Sequence, residues 1–177
     1  SREHDHFQLL GQDNVRRYLP LREVRIRVTP DDSPFEVVAR AAAARATGAR
    51  VIVSYPDDCE LATVQLLDDL TPAWAAGIEF EAESDSDLVE WLHRLGPHPD
   101  ERLRYARPDR VPVEVRRAAA RTAAYIADEP VLAAGRVELL WYLHEQSISF
   151  DYHRYGNLGS RAIRSAQSTT GLASVKP

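Results

Sequence analysis

Apolar positions recur along this chain with two different periods, and the periods take turns. Glu23-Val24-Arg25-Ile26-Arg27-Val28 alternates charged and apolar residues, the period-2 mark of a strand with one buried face. Helix signals follow. Ser33 can cap, Pro34 suits the first helical position, Glu36 completes a capping box, and Gly48 ends an alanine-rich run where a left-handed residue is wanted. Val51-Ile52-Val53 is then a continuous apolar run, expected of a strand covered on both faces.

The alternation repeats. Asp57 or Asp58 can cap a helix carrying Leu61, Val64, Leu67 and Leu70; residues 77–81 read as a strand and 85–95 as a helix ending at Gly96. Residues 103–106 read as a short strand, 111–127 as a helix, Pro130-Val131-Leu132 as a short strand, and 136–145 as a helix. Period-2 spacing returns through Ile148, Phe150 and Tyr152. Strands separated by helices cannot form hairpins, so the connections must cross over and the sheet must be mostly parallel. The pattern predicts a Rossmann-like α/β fold in a single domain, with helices on both faces of the sheet. Residues 1–20, with Gly11-Gln12-Asp13-Asn14 and Arg16-Arg17-Tyr18-Leu19-Pro20, read as an irregular lead-in linker before an α/β domain at 21–146. Residues 147–159 read as a terminal strand or flap arm. Residues 160–177, rich in Ser, Thr, Gly and Ala, read as a disordered tail.

Composition narrows the function classes. The chain has 177 residues, 44% of them hydrophobic and 28% charged, which suits one domain with a real core. A net charge of −5 argues against broad nucleic-acid binding, which needs a basic face. No apolar run nears the ~20 residues that span a bilayer, and no signal peptide is visible, so a cytoplasmic setting is expected. The chain begins at Ser1 and holds no Met, which suggests an excised or processed segment, or a tag remnant. Cys59 is the lone cysteine, which excludes an intramolecular disulfide and a cysteine-based zinc site.

A doubly wound fold invites a dinucleotide, and the turns argue against one. The first crossover turn, Thr29-Pro30-Asp31-Asp32-Ser33-Pro34, has two acids and no glycine where G-x-G-x-x-G would let the backbone approach a pyrophosphate. The second, Tyr55-Pro56-Asp57-Asp58-Cys59, is again acidic and glycine-free. Cys59 stands near a helix start, which favours a thiolate, but Asp57, Asp58 and Glu60 oppose it, and an incidental cysteine is expected. His4 and His6 make a conceivable metal pair without a third ligand; His93, His98, His144 and His153 match no nucleophile spacing, and His144 with Glu145 reads as a helix end. The acids in residues 81–87 precede a helix, so capping and solvation are expected rather than a Ca²⁺ loop. No catalytic residue, cofactor site or metal site is therefore expected in this chain.

What remains is the segment from Glu145 to Gly159. Phe150, Tyr152, His153, Arg154, Tyr155, Gly156, Asn157, Leu158 and Gly159 combine aromatic, cationic and glycine residues, the make-up of an arm that contacts a partner. An ordinary final strand on the chain's own sheet explains the same residues equally well. Gly135-Arg136-Val137-Glu138-Leu139-Leu140, Glu145-Gln146-Ser147-Ile148-Ser149 and Tyr152-His153-Arg154-Tyr155-Gly156-Asn157-Leu158-Gly159 resemble the extreme C-terminal region of the bifunctional proline-utilisation enzymes. Those enzymes join proline dehydrogenase to L-glutamate γ-semialdehyde dehydrogenase. Gly11-Gln12-Asp13-Asn14 and Arg17-Tyr18-Leu19-Pro20 resemble the stretch after their aldehyde dehydrogenase module. The resemblance implies a non-catalytic domain of the aldehyde dehydrogenase superfamily fold, with a terminal flap that aids assembly and closes the substrate cavity. It further implies NAD and possibly FAD in the parent enzyme, none in this segment, and as partners the upstream catalytic modules and a second subunit. The rival expectations are a stand-alone small-molecule or nucleotide-binding domain with a degenerate Rossmann fold, and a regulatory or oligomerisation domain of an unrelated protein.

Overall fold

A computed structural model of the chain describes residues 4, 5, 9, 12–58, 61–74 and 77–151. In chain order the strands and helices begin with β1 (His4–Asp5), β2 (Gln12–Pro20), β3 (Glu23–Arg27), α1 (Pro34–Thr47) and β4 (Arg50–Tyr55). They continue with α2 (Ala62–Trp74), β5 (Ile78–Ala82), α3 (Asp85–Leu95), β6 (Glu101–Arg104) and α4 (Val113–Thr122). The last are β7 (Ile126–Ala127), α5 (Gly135–Glu138) and β8 (Leu143–Asp151). Two compact units result among the described residues, one of residues 20–144 and one that joins those before 20 with 145–151.

The larger unit holds a five-stranded sheet in the order β5-β4-β3-β6-β7, with every adjacent pair parallel. Numbered within the sheet this is 3-2-1-4-5, the doubly wound order, whose switch point lies between β3 and β6. Register assigns the faces. Val24 and Ile26 lie beside Val51 and Val53, and together with Val37, Ala41 and Ala44 of α1 and Val64 and Leu67 of α2 they form one core. Arg25 lies beside Leu103, on the opposite face, where Leu103 and Tyr105 pack with Leu88 and Leu92 of α3 and Val115 and Ala118 of α4. Helices thus cover both faces, as the alternation of periods predicts.

Local signals act where they are expected. Ser33 accepts from the Glu36 amide while the Glu36 carboxylate accepts from the Ser33 amide, and Gly48 closes α1 in the left-handed region at φ 88°. Ser84 and Asp87 repeat the box at α3, which ends at Gly96. Elsewhere the boundaries move. The expected helix at 111–127 runs only from Val113 to Thr122, because Ala123 turns left-handed at φ 55° without a glycine to announce it. The strand expected at 130–132 is instead β7 at Ile126–Ala127, which pairs with Leu103 and Arg104. The expected helix at 136–145 is one turn, α5, continued by a 3₁₀ turn at Leu139–Tyr142, and β8 starts at Leu143.

The smaller unit corrects the lead-in expectation for residues 12–20. They form the nine-residue strand β2, central in a three-stranded sheet ordered β1-β2-β8. β1 pairs antiparallel with β2. Side-chain bonds tie β2 to β8: Gln12 donates to Asp151 at 2.8 Å, Ser149 to Asn14 at 2.8 Å, and Arg17 to Gln146 at 2.5 Å. This succession runs the two strands in opposite directions. Residues 147–151 of the expected arm belong to β8; the remainder of the arm and the tail lie outside the described residues.

Candidate functional site

In an open α/β sheet, ligands gather beyond the carboxyl ends of the strands at the switch point. Here that crevice is filled from within. Arg40 sits one turn into α1 and is fully buried. Its guanidinium donates to the Arg27 carbonyl at the end of β3 (2.8 Å) and to the Arg104 carbonyl at the end of β6 (3.4 Å). It also donates to the Glu36 carbonyl at 2.8 Å and ion-pairs with Asp32. One side chain therefore joins the two strands that diverge at the switch point to the first turn of α1, the helix that leaves β3 for β4.

Two carboxylates occupy the place at the start of α1 where a phosphate would sit. Asp32 accepts from Thr29 Oγ1 at 2.7 Å and from Arg110 at 2.5 Å as well as from Arg40. Glu36 accepts from Arg107 at 2.9 Å and Arg110 at 3.1 Å beyond its capping bonds. Burial pushes the Glu36 carboxyl up, but the Ser33 amide, Arg107, the Ser33 hydroxyl and Arg110 outweigh it and bring it down to about 2. Burial likewise opposes the charge on Arg110, and Glu36 and Asp32 overcome it and raise its pKa. The helix dipole favours anions at this end, and the protein supplies its own. A pyrophosphate placed there would face the carboxylates of Asp32 and Glu36, and Arg40 bonds the carbonyls at the ends of β3 and β6.

A second buried network fixes the chain after β7. Arg104 is fully buried and donates to the carbonyls of Tyr105, Ala127 and Glu129, and to Glu138 Oε1 at 3.0 Å. Glu138 also accepts from Tyr142 Oη at 2.9 Å and from the Leu132 amide at 2.9 Å. Burial pushes the Tyr142 hydroxyl up, so it remains a neutral donor. Sequence reasoning placed Glu138 in a motif without a role; here its carboxylate organises residues 132–142.

The acids of residues 81–87 cap a helix and meet solvent as expected, with Glu83 alone buried, and three of them also pair with buried arginines. Glu81 and Glu83 each accept from Arg25 at 2.8 Å, and Glu83 is itself buried. Asp85 accepts from Arg27 at 2.8 Å, and Asp87 closes the box at α3. Arg25 lies 4.8 Å from the centroid of Trp91, a cation–π distance. Among the described residues, no three His, Cys, Asp or Glu side chains are gathered to hold a metal ion. His93 and His98 are exposed, and His144, expected to end a helix, lies in β8 with its Nδ1 3.9 Å from Asp100. Cys59, His6 and His153 lie outside the described residues.

On the α3 side of the switch point an open cleft of about 330 Å³ remains, lined by Arg27, Tyr105 and Arg110 and by Asp57, Asp58 and Asp85. Of the expected contact residues, Phe150 stands on β8 with 55% of its surface exposed. Tyr152, His153, Arg154, Tyr155, Gly156, Asn157, Leu158 and Gly159 lie outside the described residues. No helix among those described is long and apolar enough to cross a membrane.

Fold and crevice together define a doubly wound α/β domain whose nucleotide position is occupied by its own ion pairs. No protein-family model and no curated protein matches the chain. Among solved structures it is similar to Proline Utilization A (PutA) from Corynebacterium freiburgense, with 27% identity and a TM-score of 0.54. The match covers 89% of this chain and 12% of that one, so the chain spans about an eighth of the length of its structural relative.

Proposed function

We propose that this chain is a non-catalytic accessory domain, the C-terminal one, of an enzyme that converts proline to glutamate. The observation that carries the reading is the filled switch-point crevice, set in a fold similar to part of Proline Utilization A. A domain that keeps the doubly wound architecture but seals its ligand position with Arg40, Asp32 and Glu36 has given its surfaces, not its crevice, to function. On this reading NAD, and FAD if a proline dehydrogenase module is present, belong to upstream modules of the same polypeptide. The domain then supports assembly and closes the substrate cavity of the L-glutamate γ-semialdehyde dehydrogenase module. The contact residues are Phe150 and the run Tyr152 to Gly159, reaching either the same polypeptide or a second subunit.

The test uses the whole polypeptide that contains this segment, compared with a version ending before Gln12. Proline-dependent NADH formation and the mass of the assembly are measured on both. The reading expects at least a tenfold loss of coupled turnover, or a change of assembly, in the shortened protein. Unchanged turnover and mass overturn it.

A further inference from the structure

The cleft beside the filled crevice has a chemistry of its own. Both arginines on its wall already hold carboxylates: Arg27 binds Asp85, and Arg110 binds Asp32 and Glu36. An anion entering would have to compete with those pairs. By contrast Asp57 and Asp58, at the turn after β4, are exposed and make no hydrogen bond or ion pair among the described residues. Asp85 is half exposed and uses one oxygen on Arg27.

Tyr105 is the second observation. It is 1% exposed and lines the cleft, yet its hydroxyl has no hydrogen-bond partner. Buried polar atoms are satisfied in the great majority of cases, because an unsatisfied one keeps its full desolvation cost. A phenol both donates and accepts, and burial pushes its pKa up, so it stays neutral. The groups of the cleft with hydrogen-bonding capacity to spare are thus three carboxylates and one neutral hydroxyl. They call for a donor, and a positively charged one.

The size and spread of these groups decide which kind of cation. The carboxylates are not gathered as a metal site, and about 330 Å³ holds several heavy atoms besides a charged head. Pro30, Pro56 and Pro112 line the same space with apolar surface, suited to a short hydrocarbon body.

We infer that this cleft is a binding site for a small organic amine, its ammonium held by Asp57 and Asp58 and a hydrogen-bonding group met by the Tyr105 hydroxyl. The site lies wholly within residues 27–112 and does not depend on the accessory-domain reading.

Titration calorimetry of the 177-residue chain with putrescine tests this, with butanediol, succinate and calcium chloride as parallel probes at matched ionic strength. Saturable binding of putrescine is expected, with amide resonances of Thr29, Asp57, Asp58 and Tyr105 shifting together. Asp57→Asn with Asp58→Asn should weaken it at least tenfold, about 1.4 kcal/mol. Tyr105→Phe, which removes only the hydroxyl, should weaken it about threefold or more; circular dichroism checks that each variant is folded. The inference falls if putrescine gives no saturable heat up to about 20 mM, a range that reaches well below micromolar-grade affinity. It falls equally if butanediol, succinate or calcium binds as tightly, if the shifts lie elsewhere, or if the folded variants bind unchanged.

Discussion

The starts of α1 and α3 carry the same local device in different surroundings. In each, a serine cap and an acid three residues on exchange hydrogen bonds: 2.8 and 3.3 Å for Ser33 with Glu36, 2.9 and 3.2 Å for Ser84 with Asp87. The Asp87 carboxylate is exposed, whereas that of Glu36 is buried and also holds Arg107 and Arg110. Next to it, Asp32 and Arg40 make a pair with no exposed side-chain surface. Identical capping chemistry therefore leaves one helix start facing solvent and seals the other. What differs is supplied by residues 8 to 78 positions away in sequence.

The comparison can be broken most directly at Arg40. Arg40→Met removes one side of a buried pair and four hydrogen bonds, and should destabilise by about 3–5 kcal/mol, read by urea unfolding. Adding Asp32→Asn should recover part of the loss; a change below about 1 kcal/mol for the single variant would show that the seal is incidental.

Glu36 comes next. Its folded pKa, about 2, lies below the ordinary 4.5, so its contribution is fully present above pH 4.5 and is lost as pH falls toward 2. Glu36→Gln should lower stability at neutral pH by on the order of 2 kcal/mol and flatten that part of the acid-unfolding curve. Asp87 is also held below its ordinary value, by the Ser84 hydroxyl and amide, but in full contact with solvent, so Asp87→Asn should flatten the acid limb less than Glu36→Gln does; equal effects at both positions would erase the distinction.

Ser33→Ala and Ser84→Ala should each cost about 1 kcal/mol. Near-equality here with inequality at the acids would locate the difference in the arginines rather than in the caps. The smallest expected effect is none: NAD should leave the melting temperature unmoved, since a ligand at 100 times its Kd would add about 2.7 kcal/mol. A clear upward shift would mean that the start of α1 is open after all.

The alternation of β3 marks the strand but not its burial, since all five of its residues are buried rather than those of one face. The capping box at α1 and the left-handed Gly48 are legible in sequence because each depends on residues within a few positions of one another. The glycine-free turns at Asp31-Asp32 and Asp57-Asp58 are legible for the same reason. Arg40 is not. Nothing in the alanine-rich run around it marks its position as buried, yet its charge goes to Asp32 and its other donors to carbonyls of α1, β3 and β6. β2 escapes because its residues are mostly half-buried, so no two-fold contrast of apolar and polar marks it. The stop at Ala123 escapes because alanine rarely adopts that backbone region. The unpartnered Tyr105 hydroxyl has no trace in sequence at all.

The joint that Arg40 makes between β3, β6 and α1 also acts as a ratchet in sequence space. Gaining a glycine-rich phosphate loop would require replacing Asp32, and that alone strands a buried guanidinium. Replacing Arg40 first strands a buried carboxylate and leaves the ends of two strands unbound. Each route passes through a protein that has lost a large share of the 5–15 kcal/mol that holds a domain together. Once such a joint has formed, every single step toward a glycine-rich loop passes through a weakened fold.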